Sequence, residues 1–159
     1  MTETKNVYHE GVPATDKMPD VQKALELNER EKGYEKLIKD SFVEDYVAYI
    51  FSDHTSDYNE YIDKVKRYVS YKCKDVTTAQ LRNVYARIQK APTPFALQML
   101  RPKIAYVAGR TEVYQLKVVM FLLEQLIVRV DGPEKLDRFK AFYEAIVAYH
   151  KYYHGRRQT

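Results

Sequence analysis

An all-α fold is the class this sequence predicts, a compact bundle of about five to six helices around a long central helix. Apolar residues recur three and four positions apart almost everywhere after residue 20, and no run alternates strictly as a half-buried strand would. Only five glycines and six prolines occur in 159 residues, and several of the prolines stand at expected helix boundaries.

Residues 1–20 read as a flexible N-terminal tail, with Glu3, Glu10 and Asp16 and no apolar run that would suit a signal peptide or an anchor. Residues 21–159 read as a single helical domain, a length that can bury most of its unfolded surface. A first helix is expected over residues 21–32. After Gly33 a second carries the stripe Leu37, Ile38, Val43, Tyr46, Val47, Ile50 and Phe51. Residues 52–56 interrupt, and Ser56 can cap a third helix with the stripe Tyr58, Tyr61, Ile62, Val65, Tyr68 and Val69, its other face carrying Lys64, Lys66 and Arg67.

Thr77 followed by Gln80 has capping-box form, so a fourth helix starts there, with Leu81, Val84, Tyr85 and Ile88 inward and Arg82, Arg87 and Lys90 outside the stripe. It should stop before Pro92, because proline pushes the preceding residue out of the α region. Residues 95–100 suit one or two turns, and Pro102 suits the first turn of a helix expected from Lys103 to Val130. Gly109 weakens that helix by about 1 kcal/mol relative to alanine, which leaves a break there open. Residues 118–130 are apolar on nearly every side but too short to span a bilayer, so they form a core helix or a core helix that also makes a subunit contact. Pro133 opens the last helix, with stripes Leu136, Phe139, Tyr143, Ile146, Val147, His150 and Phe142, Ala145, Tyr149, Tyr152.

The net charge of +4 hides an asymmetry. Residues 1–60 hold 7 Lys and Arg against 14 Asp and Glu, whereas residues 61–159 hold 19 against 8. Between Tyr61 and Val119, 12 basic residues face only Asp63, Asp75 and Glu112, the electrostatic footprint of a polyphosphate partner or, more plainly, a solvated basic face. Lys103, Arg110 and Lys117 recur every seven residues, which on one straight helix drifts by only about 20° per step and makes a basic ridge. Tyr106 and Tyr114 lie close in phase to it and can serve as aromatic platforms between phosphate contacts, or as core.

No catalytic constellation stands out. His150 and His154 have the i, i+4 spacing of a zinc pair, but Lys151 follows where a metalloprotease needs glutamate and no third ligand lies nearby. Asp53-His54 reverses the His-Asp order of metal-dependent phosphohydrolases, and no phosphate-cradling glycine loop occurs. Cys73 is the only cysteine, so no intramolecular disulfide forms, which suits a reducing cytoplasm. The reading is therefore a non-enzyme with no metal, no cofactor and no membrane span.

Three blocks, TTAQLRNVYARI at 77–88, LRPKIAYVAGR at 100–110 and FKAFYEAIVAYHKYYHG at 139–155, together resemble the small subunit of type III-A (Csm) CRISPR effector complexes. The resemblance fades before Tyr61. It implies a helical bundle that stacks in a few copies along a guide-RNA complex, holding guide and target RNA by the phosphate backbone without reading bases, while cleavage belongs to other subunits. Guide RNA, target RNA, other Csm subunits and further copies of the chain are the implied partners, and a homodimer of the isolated chain is allowed. By position in the motifs, Arg82, Lys103 and Arg110 are the leading RNA contacts, with Tyr106 also in a motif. Charge placement adds Arg101, Lys117, Lys72, Lys74 and Arg67. The alternative is a helical protein–protein adaptor that uses the apolar 118–130 surface and bears an incidental basic face.

Overall fold

The structure, a computed structural model, describes residues 29–155. The tail expected over 1–20, and most of the first expected helix, lie outside the described residues. The chain divides into two units, Met1–Gly33 and Tyr34–Thr159. Of the first, residues 29–33 are described; they are helical with Gly33 included, so the break expected at that glycine is absent.

In the second unit residues 34–41 are helical, and seven helices follow among the described residues, with no strand. They are α1 (Tyr46–Phe51), α2 (Tyr58–Lys72), α3 (Thr78–Gln89), α4 (Pro94–Gln98), α5 (Arg101–Arg110), α6 (Tyr114–Ile127) and α7 (Pro133–His154). The stripe from Leu37 to Phe51 is thus carried by two helices. The division is chemical: Asp45 accepts from the Ala48 N–H at 3.3 Å, and a capping side chain offers the backbone an alternative to the helical ladder. Asp57, not Ser56, precedes α2, where the His54 ring lies stacked on Tyr61 at 4.1 Å. The capping box at α3 is present in both halves, Thr77 Oγ1 accepting from Gln80 N at 3.1 Å and Gln80 Oε1 from Thr77 N at 3.0 Å.

The helix expected from Lys103 to Val130 is two helices. α5 ends at Arg110, and Thr111 takes an extended conformation in which its hydroxyl accepts from the Val113 N–H at 3.1 Å, the local bond by which threonine competes with a helix. α5 and α6 then pack against each other. Of residues 118–130, Val118, Val119, Met120, Leu122, Leu123, Leu126, Ile127 and Val130 are buried in the core, Phe121, Glu124 and Gln125 partly so, and Val128 and Arg129 are exposed. The long central helix is instead α7, 22 residues that pack against α1, α2 and α3.

α7 binds its neighbours through two kinds of contact. Phe139, Phe142, Tyr143 and Ile146 are fully buried, each contributing on the order of 1.5–3 kcal/mol from apolar burial. Beside them, polar side chains reach carbonyls at or just past the C-termini of other helices. Arg138 donates to Phe51 O at the end of α1, His154 Nε2 to Val69 O in the last turn of α2 at 3.1 Å, and Lys140 Nζ to Gln89 O at 3.3 Å and Ala91 O at 2.6 Å around the end of α3. Tyr143 Oη donates to Leu81 O at 2.9 Å. Helix C-termini leave carbonyls unsatisfied and carry partial negative charge, so cationic or N–H donors are favoured there. Arg138 and Lys140 thus spend their charge inside the fold.

His150 is fully buried, its Nε2 donating to Val76 O at 2.7 Å and its Nδ1 3.2 Å from Thr78 Oγ1. It is a structural residue at the α2–α3 turn. Desolvation holds its imidazole pKa below the usual value. The unfolded chain then takes up the proton more readily, so this contribution to stability is complete above about pH 6.5 and is lost as pH falls below it toward the folded pKa. The urea midpoint is expected to fall between about pH 7 and about pH 5, and His150→Gln to flatten that dependence. An unchanged slope in the variant would assign the acid sensitivity elsewhere.

Candidate nucleic-acid interface

α3 and α5 border a groove. Asn83 and Arg87 line one wall and Lys103, Tyr106 and Arg110 the other, over a floor that includes Val84, Ile104 and Val107, with a volume of about 230 Å³. It opens into an adjoining recess of about 440 Å³ reached by Gln80, Thr111 and Glu112. The walls follow from helical phase. Asn83 and Arg87 are i, i+4 on α3, and Lys103, Tyr106 and Arg110 are i, i+3, i+7 on α5, while Ile104 turns inward and is buried.

Lys103, Arg110, Arg87 and Asn83 are exposed, and Tyr106 is 63% exposed, a large ring left in water. Among the described residues none of these three cations pairs with a carboxylate. Lys103 moreover sits in the first turn of α5, where the helix dipole disfavours a cation by a few tenths of a kcal/mol to about 1 kcal/mol. A lysine there opposes the stability of its own helix.

The other candidates divide. Arg101 forms an ion pair with Glu124 of α6, its Nε 2.9 Å and Nη2 2.8 Å from Oε2, and so ties the start of α5 to α6. Lys117, which the broken helix removes from the ridge, donates to Ala108 O at 2.8 Å and caps α5. Arg82 is exposed on α3 but points roughly 120° around the helix from the Asn83–Arg87 edge and does not line the groove. Arg67 lies exposed on α2, with Lys72 and Lys74 exposed at its end. Tyr114 is half exposed and packs edge-on against Tyr34 at 5.5 Å.

Arg87 and Asn83 join the groove without having been singled out from the sequence. Their i, i+4 spacing beside the apolar stripe was the available signal, but that α5 lies across from them shows only in the fold.

The Csm2 Type III-A family matches residues 54–156, which include every element of this groove. The chain belongs to that family. As a Csm2 family member it is a structural subunit of a type III-A CRISPR complex, in the company of other subunits. No curated protein and no solved structure matches the chain. In this Csm2 chain, nucleophilic chemistry has no site at Cys73, which is fully buried with its thiol pushed up to about 12 by desolvation. Among the described residues, no three His, Cys, Asp or Glu side chains are placed to hold a metal ion, and no helix is long and apolar enough to cross a membrane.

Proposed function

We propose that this chain is a non-catalytic RNA-holding subunit of the type III-A complex, contacting the backbone of guide and target RNA in the cytoplasm without reading bases, alongside other Csm subunits and further copies of itself. The observation that carries this reading is the sorting of the cations. The fold employs Arg101, Lys117, Arg138 and Lys140 as struts and caps, and leaves Arg87, Lys103 and Arg110 without a carboxylate partner among the described residues, around one groove with an exposed tyrosine among them. Phosphate oxygens supply the missing acceptors and a base or ribose the partner for the ring. Lys103 and Arg110 stand two turns apart, roughly 10 Å by the rise per residue, a separation that suits successive contacts to a strand. The adaptor alternative is less supported, since most apolar side chains of its 118–130 surface are buried, Val128 at 39% exposed being the exception.

The test is the binding of single-stranded RNA homopolymers of different sequence across a salt series. Affinities are expected to differ little between sequences and to fall with salt, log K declining by about 0.7 per phosphate contact for each decade of salt. Equal affinity at low and high salt would refute backbone contact, and a strong preference for one homopolymer would refute its indifference to bases.

A further inference from the structure

A second recess lies between α2 and the last turns of α7, lined by Asp63, Lys66, Arg67, Ser70, Tyr71 and Tyr153, with a volume of about 350 Å³. It shares no lining residue with the groove between α3 and α5. Two features of it face solvent. Tyr71 is 67% exposed and Tyr153, edge-on to Tyr152 at 5.0 Å, is 38% exposed, on the two helices that border the recess. Arg67 is exposed and, like Lys66, pairs with no carboxylate among the described residues, Asp63 included. Lys66 stands 5.8 Å over the Tyr149 ring, so one cation is steadied at the edge of the recess and the other is open to a ligand.

Two open aromatic rings flanking two cations match single-stranded nucleic acid, whose bases stack on the rings while its phosphates meet the charges. A bare polyanion would leave the rings unused, and an apolar surface would leave the cations desolvated without partners. We infer that this recess is a second single-strand site, distinct from the groove, with bases on Tyr71 and Tyr153 and backbone phosphates on Arg67 and Lys66. One copy then engages two segments of strand at once. Two modest contacts joined in one body act with a raised effective concentration, so a strand long enough to reach both is held more tightly than either site alone would hold it.

The experiment is native mass spectrometry of the whole chain with a short oligouridylate, together with its abasic analogue. The parent is expected to carry two oligonucleotides, Lys103→Glu/Arg110→Glu one, Arg67→Glu/Tyr71→Ala one, and the combination none. At the recess, isolated in the Lys103→Glu/Arg110→Glu background, the abasic strand should bind about tenfold more weakly or worse, the loss of at least one stacked base. One oligonucleotide on the parent, or two still on Arg67→Glu/Tyr71→Ala, overturns the second site and leaves the groove standing. Two on the groove variant and one on the recess variant would do the reverse. Should the recess double variant fail to fold, Tyr71→Ala alone, at a 67% exposed position, must lose the discrimination against the abasic strand.

Discussion

Lys103→Glu/Arg110→Glu is expected to weaken capture of single-stranded RNA by about 100-fold or more at low salt, as two charge-assisted contacts of about 1.5–3 kcal/mol each are lost. The slope of log K against log salt should fall by about 0.7 for each contact removed. Folding should survive. Both side chains are exposed and neither pairs with a carboxylate among the described residues, and substitutions at such sites move stability by no more than about 0.5 kcal/mol. The two reversals also oppose each other locally: glutamate in the first turn of α5 suits the helix dipole, whereas glutamate at its last residue does not. Melting temperature and RNA affinity should therefore separate. A variant that binds like the parent would reduce the groove to a solvated face; one that unfolds would show that this edge of α5 is internal. Lys117→Glu makes the contrast, since removal of its bond to Ala108 O should lower stability more than affinity.

The helical class and the helix starts are legible because they are written in local chemistry. Thr77 with Gln80, Pro102 and Pro133 each announce a first turn within a few residues, and each does open a helix. The stop at Thr111 is not legible. Apolar residues continue at helical spacing on both sides of it, and Gly109, the visible weak point, stays helical with open space where a Cβ would be. What ends α5 is a hydroxyl reaching two residues onward, a bond most threonines do not make. Nor can composition say which cations are already spoken for. Lys117 caps a carbonyl 9 residues away, Lys140 one 49 away and Arg138 one 87 away, and such pairings exist only once the helices have been placed. The basic stretch from Tyr61 to Val119 is therefore legible as charge but not as a site. The family motifs direct attention to Lys103, Tyr106 and Arg110, which share a groove wall, and to Arg82, which does not.

Phe142→Ala should cost about 3–5 kcal/mol, the usual range for emptying a buried phenylalanine site. The ring is fully buried on α7, edge-on to Phe42 at 5.9 Å, and Phe42 in turn lies 5.3 Å from Tyr68 of α2, so removal opens a void where three segments meet. Helices fixed by several further contacts cannot collapse into that void: Tyr143 holds Leu81 O, Lys140 the end of α3 and His154 the end of α2. Domains are stable by only about 5–15 kcal/mol, and at about 1–3 kcal/mol per molar urea the midpoint should drop by roughly 1–5 M. Phe142→Leu keeps most of the volume and should lose less than about 1.5 kcal/mol. The consequence for RNA differs in kind from charge reversal. α3 forms one wall of the groove and is anchored to α7, so affinity should track the folded fraction and return to the parental value wherever Phe142→Ala remains folded, with the salt slope unchanged. A urea midpoint that barely moves would mean that α7 is not the helix around which this bundle is built.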